Sequence, residues 1–97
     1  MMDYSKLSDM EINGRVLHAI TNGKAIRLQQ ASVASGETDY CNNAADAWPI
    51  ILQNRLYIDP IYLKDWCVTS ECDSYREIHE NPLRAAMICY LMMQESE

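Results

Sequence analysis

Cys41 is the first residue to weigh for chemistry, because it stands directly ahead of a helix-starting run, Asn42-Asn43-Ala44. A helix N-terminus stabilises a thiolate, the nucleophilic form of cysteine. Covalent catalysis also needs a base within hydrogen-bond reach, held in place by a third group. The only histidines are His18 and His79, and no spacing places either beside Cys41. A packed thiol is therefore the expected state of Cys41. Asp39 and Asp46 suit acid–base work only if they converge, and seven residues across a loop–helix join say nothing about that. Cys67 and Cys72, with His79 further on, faintly resemble a zinc pattern. A structural zinc site wants four ligands in tight pairs, so free thiols are the better reading of all four cysteines and no metal is expected. Gly14, Gly23 and Gly36 are isolated, so there is no phosphate-cradling loop and no cofactor is implied.

A non-catalytic site has more to support it. Tyr40, Asn42, Asn43, Asp46 and Trp48 form a candidate ligand-binding set within YCNNAADAWPII. The asparagine amides would lie beside the unpaired N–H groups of a helix start, which attract anions, with Tyr40 or Trp48 as an aromatic wall. Against this, capping and turn formation can consume both asparagine side chains.

The elements that position these residues begin with a chain of 97 residues and net charge −6. That length predicts one domain, residues 1–97, with enough buried surface to need no staples. The eight basic residues are scattered, which argues against direct contact with nucleic-acid phosphates. Glu71, Asp73, Glu77 and Glu80 gather loosely, but Arg76 interrupts them and a solvated acidic loop is the simpler reading. No apolar run is long enough to span a membrane, and the first residues lack the pattern of a secretory signal. A cytoplasmic address is the default expectation.

Ser8 to Glu11 has the form of a capping box, followed by an apolar stripe of Ile12, Val16 and Ile20 beside Leu17. Asn22-Gly23 predicts the left-handed stop, and Gly14 within the helix predicts a close neighbour. Residues 25–41 alternate weakly and read as a strand or hairpin. A helix from Ala44, capped by Asn42 or Asn43, would place Ala45, Trp48 and Leu52 on an inward face. Pro49 then distorts its interior; a start at Asp46 would make Pro49 harmless, but the longer helix is preferred. Further strands are expected at 56–58, stopped by Asp59-Pro60, and at 65–70, with a polar loop over 71–80. Asn81-Pro82 starts a last helix, and Ala85 to Met93 is apolar without interruption. A helix apolar on all sides belongs in the core or under a partner, and the core is preferred. The order predicts an α+β fold, with a small, largely antiparallel sheet packed with about three helices.

DYCNNAADAWPIILQNR and NPLRAAMICYLMMQE, together with the opening MDYSKLSDMEIN, resemble the NinX-like family of lambdoid phage proteins. The chain departs from that family at Ala44, where Pro is usual. The resemblance implies an accessory protein encoded by a phage or prophage, with no established reaction or cofactor. Phage domains with a similar Trp-bearing helix and late Ala-rich helix are α-β-α sandwiches, which is a likeness of fold alone. The expected function is a non-enzymatic protein-binding factor, made in the bacterial cytoplasm, whose partner is a host or phage protein. Tyr90 and Met93 on the last helix, with Asp73, Glu77 and Glu80 in the acidic loop, are the candidate contacts, and a homodimer is possible through the same helix. The alternative is a binder of an anionic metabolite or nucleotide at the Tyr40–Trp48 segment.

Overall fold

The last helix organises the molecule. The computed structural model describes residues 3–95, and in it α4 spans Pro82–Glu95. Asn81 caps it, its Oδ1 accepting the amides of Leu83 at 3.0 Å and Arg84 at 3.2 Å. Pro82 occupies the first helical position, where a missing N–H costs least. Every residue from Arg84 to Leu91 is buried, as the uninterrupted apolar run predicts for a helix enclosed on all sides.

Two helices pack directly on α4. The first, α1 (Asp9–Ile20), has the expected capping box, with Ser8 and Glu11 exchanging backbone–side-chain bonds. It buries Ile12, Asn13, Val16 and Leu17, while Ile20 at its end is exposed, so the apolar stripe is shorter than expected. Thr21 is the C-cap, and Asn22 and Gly23 both take the left-handed conformation that ends the helix. Gly14 has no neighbour within 4 Å of where a Cβ would stand, so the expected close approach is absent. A short 3-10 turn, Tyr4–Lys6, precedes α1, and Tyr4 donates its hydroxyl to Glu95 at 2.9 Å.

The segment expected as a strand or hairpin is instead a helix, α2 (Arg27–Ser35). The Gln29 side chain accepts the Ile26 amide at 2.9 Å, and Gly36 closes the helix in left-handed conformation with φ 84°. Leu, Gln, Arg and Ala are strong helix formers, and that preference outweighs a two-residue alternation over so few positions. Helix α3 (Ala44–Gln53) starts at Ala44 with Asn43 as cap and runs on through Pro49, as preferred. Its inner face is Ala47, Ile50 and Ile51. Trp48 therefore points outward, 53% exposed, with Ala45 and Leu52 also in solvent. Either face of α3 offers apolar side chains, and the choice follows from its seat on α4.

Three antiparallel strands, β1 (Tyr57–Ile61), β2 (Asp65–Thr69) and β3 (Arg76–His79), form a sheet in that order. Asp59-Pro60 does not stop β1: Pro60 pairs with Trp66 within the strand. Its missing amide is tolerated because β1 is a sheet edge. Nor is 71–80 all loop, since polar Arg76–His79 pairs with β2 from Thr69 to Trp66. Val68, fully buried, stands between Ile58 and Glu77 in one cross-strand row. Helix α4 packs on β2 and β3, with α1 and α3 against it in turn and α2 against α1. The α+β class is as expected, with the sheet as an outer layer.

Candidate functional site

Seven residues from three distant stretches meet at the start of α4. From α1 come Asp9 and Asn13; from the turn before α3 come Asp39, Cys41 and Asn42; from the α4 start come Asn81 and Arg84. Arg84, only 8% exposed, donates to Asp9 Oδ1 at 2.6 Å and to the Ser5 and Leu7 carbonyls at 3.2 and 2.7 Å. The planar fork of a guanidinium suits three acceptors spread in this way. Asn42 Nδ2 donates to Asp9 Oδ2 and Asp39 Oδ2, each at 3.0 Å. Asn81 Nδ2 donates to the Cys41 carbonyl at 2.8 Å and Asn42 Oδ1 at 3.0 Å. Buried Asn13 donates to Asp39 at 2.8 Å and accepts the Cys41 amide at 3.1 Å. Among the described residues, no buried side-chain nitrogen or oxygen lacks a partner.

This node explains the charges it holds. The Asn42 amide is the main reason the Asp9 carboxyl lies below the ordinary range, and the Arg84 guanidinium adds to it while burial opposes both. Burial, with Asp9 nearby, pushes the Cys41 thiol up to about 12. Its Sγ donates to the Asp9 carbonyl at 3.8 Å. The expected packed thiol is what the structure holds; the helix start does not make Cys41 a thiolate. Burial likewise raises the Tyr40 hydroxyl and the Glu77 carboxyl. Exposed Cys72 goes the other way, brought down to about 7 by hydrogen bonds with Ser70 and Ser74.

The candidate ligand set does not converge on an opening. Asn43 accepts the Ala45 amide at 2.9 Å, and Asp46 accepts the Asp39 amide at 3.0 Å. Asn42 is held by the node, Tyr40 is buried, and Trp48 stands on the outer face of α3. Capping and cross-linking thus engage the polar members. Among the described residues, no three His, Cys, Asp or Glu side chains form a group that could hold a metal ion.

The candidate partner contacts are also redistributed. Tyr90 is core, and Met93 is half-buried against it. Asp73 pairs with Arg76 at 3.7 Å and Glu80 with Lys64 at 3.2 Å, while Glu77 is half-buried beside Val68. Exposed apolar surface lies elsewhere, and two of its regions, which the sequence did not mark, bear on function. One is a groove of about 370 Å³ between α1 and α2, lined by Met10, Gly14, Leu17, His18, Val33 and Ala34. The other runs along the β1 edge: a cleft beside Trp48, Leu52 and Tyr57, and the hairpin tip at Tyr62 and Leu63. The only advance sign of the tip was an apolar pair, Tyr62-Leu63, where a turn would ordinarily carry Gly or Asn.

The fold and its node define a small α+β protein assembled on one enclosed helix, with its three family-like stretches tied together where that helix begins. The family model described as Bacteriophage P22, NinX matches residues 3–94, and the chain belongs to that family of phage accessory proteins. No curated protein and no solved structure matches the chain. No helix among the described residues is long and apolar enough to cross a membrane.

Proposed function

We propose that this protein is a non-enzymatic accessory factor that binds a host or phage protein in the bacterial cytoplasm, through the groove between α1 and α2. The observation that carries this reading is the groove itself. It is open, it is lined by buried Leu17 and Val33 and by exposed Met10, and nothing stands within 4 Å of where a Cβ on Gly14 would be. Such a groove accepts apolar side chains from a partner helix or extended segment, and methionine adapts to varied partners. Charge supports a protein rather than nucleic acid as partner, since the chain carries −6 and its eight basic residues are scattered along the sequence.

Gly14→Leu tests this directly. A Cβ there meets nothing within 4 Å, and replacing a mid-helix glycine favours the helix by up to about 1 kcal/mol. The variant should therefore fold at least as well while filling the groove. Affinity capture from infected cells should retain a specific protein on the wild type and lose it on Gly14→Leu. Retention by neither, or equally by both, would remove the basis of this reading.

A further inference from the structure

Edge strand β1 has an apolar feature at each end. At the far end the chain turns through Tyr62, Leu63 and Lys64 into β2, closing on the Ile61–Asp65 pair. Tyr62 is 92% exposed and Leu63 103%. Tyr62 also takes a left-handed backbone, φ 56°, which costs a residue with a bulky side chain about 1–2 kcal/mol. Asparagine or glycine would serve this turn better in both backbone and solvation. Both side chains are nearly or wholly in solvent, so packing among the described residues offsets neither cost. At the near end lies a cleft of about 440 Å³ between α3 and β1, lined by Trp48, Ile51, Leu52, Leu56, Tyr57 and Ile58.

We infer that the β1 edge is a homodimer interface, in which each copy seats its Tyr62–Leu63 tip in the partner copy's Trp48–Leu52–Tyr57 cleft. The fit is reciprocal by geometry. Tyr62 follows Tyr57 by five positions, about 17 Å along a strand. A two-fold axis near Asp59 and Pro60 lays two β1 edges antiparallel and brings each tip to the other copy's cleft. Such a contact closes on itself and leaves no open end for further copies. Pro60 has no amide to offer, so side chains rather than an extended sheet make the contact.

Area and volume agree with this occupant. The exposed parts of Trp48, Leu52, Tyr57, Tyr62 and Leu63 amount to roughly 700 Å² per copy, on aromatic side chains of about 150–250 Å² each. A stable pair buries about 800 Å² per partner, so tip and cleft supply most of an interface. An enclosed cavity of about 150 Å³ holds a benzene-sized ring, and the cleft exceeds that. Charge opposes the pairing: each copy carries −6 and brings Asp59 near the axis. Salt screens that repulsion, so it should tighten the dimer. The inference deepens the protein-binding reading by naming a second copy as one partner, and it uses none of the α1–α2 groove.

Sedimentation equilibrium of the full chain over a concentration series tests it. The wild type should pass from monomer to dimer mass, more readily at higher salt. Leu63→Asp and Trp48→Asp should each weaken association at least about tenfold, as loss of a central anchor does. Tyr62→Asn suits the left-handed turn, so it should raise thermal stability while weakening the dimer, separating lost association from lost folding. Monomer mass throughout, or a dimer indifferent to all three substitutions, overturns the inference. A monomer that still captures a foreign protein through the α1–α2 groove sinks the dimer and leaves the groove reading standing. A dimer dependent on tip and cleft that captures nothing supports the dimer and sinks the groove reading.

Discussion

Arg84 brings a charge into the first turn of a helix that is buried through Leu91. It is tolerated there because Asp9 and two carbonyls meet its guanidinium, and Asp9 in turn is held by Asn42. Arg84→Met keeps the length of the side chain and removes all three donated bonds. The Asp9 side chain is 43% exposed, so its charge is partly solvated and the loss is smaller than for a wholly buried pair. The expected cost is about 2–4 kcal/mol by urea unfolding. Arg84→Lys should recover only part of this, because one ammonium lacks the fork that reaches separated acceptors. A wild-type midpoint for Arg84→Met would show that the node contributes nothing to stability. Asn81-Pro82 was readable in advance as a helix start. That Asn81 would also hold Asn42 and the Cys41 carbonyl was not, because those groups lie 39 and 40 residues away.

Among the α-helices, α2 buries the fewest residues, Val33 alone. It packs on α1 alone to any extent, with the 370 Å³ groove on one side and a second of about 290 Å³ on the other. Helices with few buried contacts open locally at low free energy. Amides over 31–35 should therefore exchange with deuterium at least ~100-fold faster than those over 87–91. Equal protection would mean that α2 opens only with global unfolding. The same weak anchoring explains why 25–41 carries no helical signature in the sequence: with only Val33 buried, the helix has almost no apolar periodicity to display. Strand β3 was hidden for a related reason. Arg-Glu-Ile-His is polar enough for a loop, and it becomes a strand by pairing with β2 under α4.

At the scale of the whole molecule, Asp9 links stability to pH. Its carboxyl lies below the ordinary range through the Asn42 bond and then Arg84, so the folded chain binds that proton more weakly than the unfolded chain. The contribution is fully present above the unfolded value of about 3.9 and is lost as pH falls through the lower, folded value. Thermal midpoints from neutral to strongly acidic pH should show the wild type more stable than Asp9→Asn above that window. The two curves should approach one another below it. Parallel curves throughout would show that Asp9 does not couple folding to protons.

What the amino-acid sequence settled unaided were the features written within a few residues of themselves. The Ser8–Glu11 box, the Asn81-Pro82 start and the apolar run behind it all use neighbours along the chain and stand where expected, whereas the choice of Asn43 over Asn42 as the α3 cap came with the structure. The tertiary structure alone decided which side of α3 faces inward, turning Trp48 out and Ile50 in. It also closed the asparagines into a node and left Tyr62 and Leu63 in solvent. Those outcomes depend on what packs against a side chain, and the Arg84–Asp9 contact joins residues 75 positions apart. Local pattern selects an element, but only the assembled core determines what each of its faces meets.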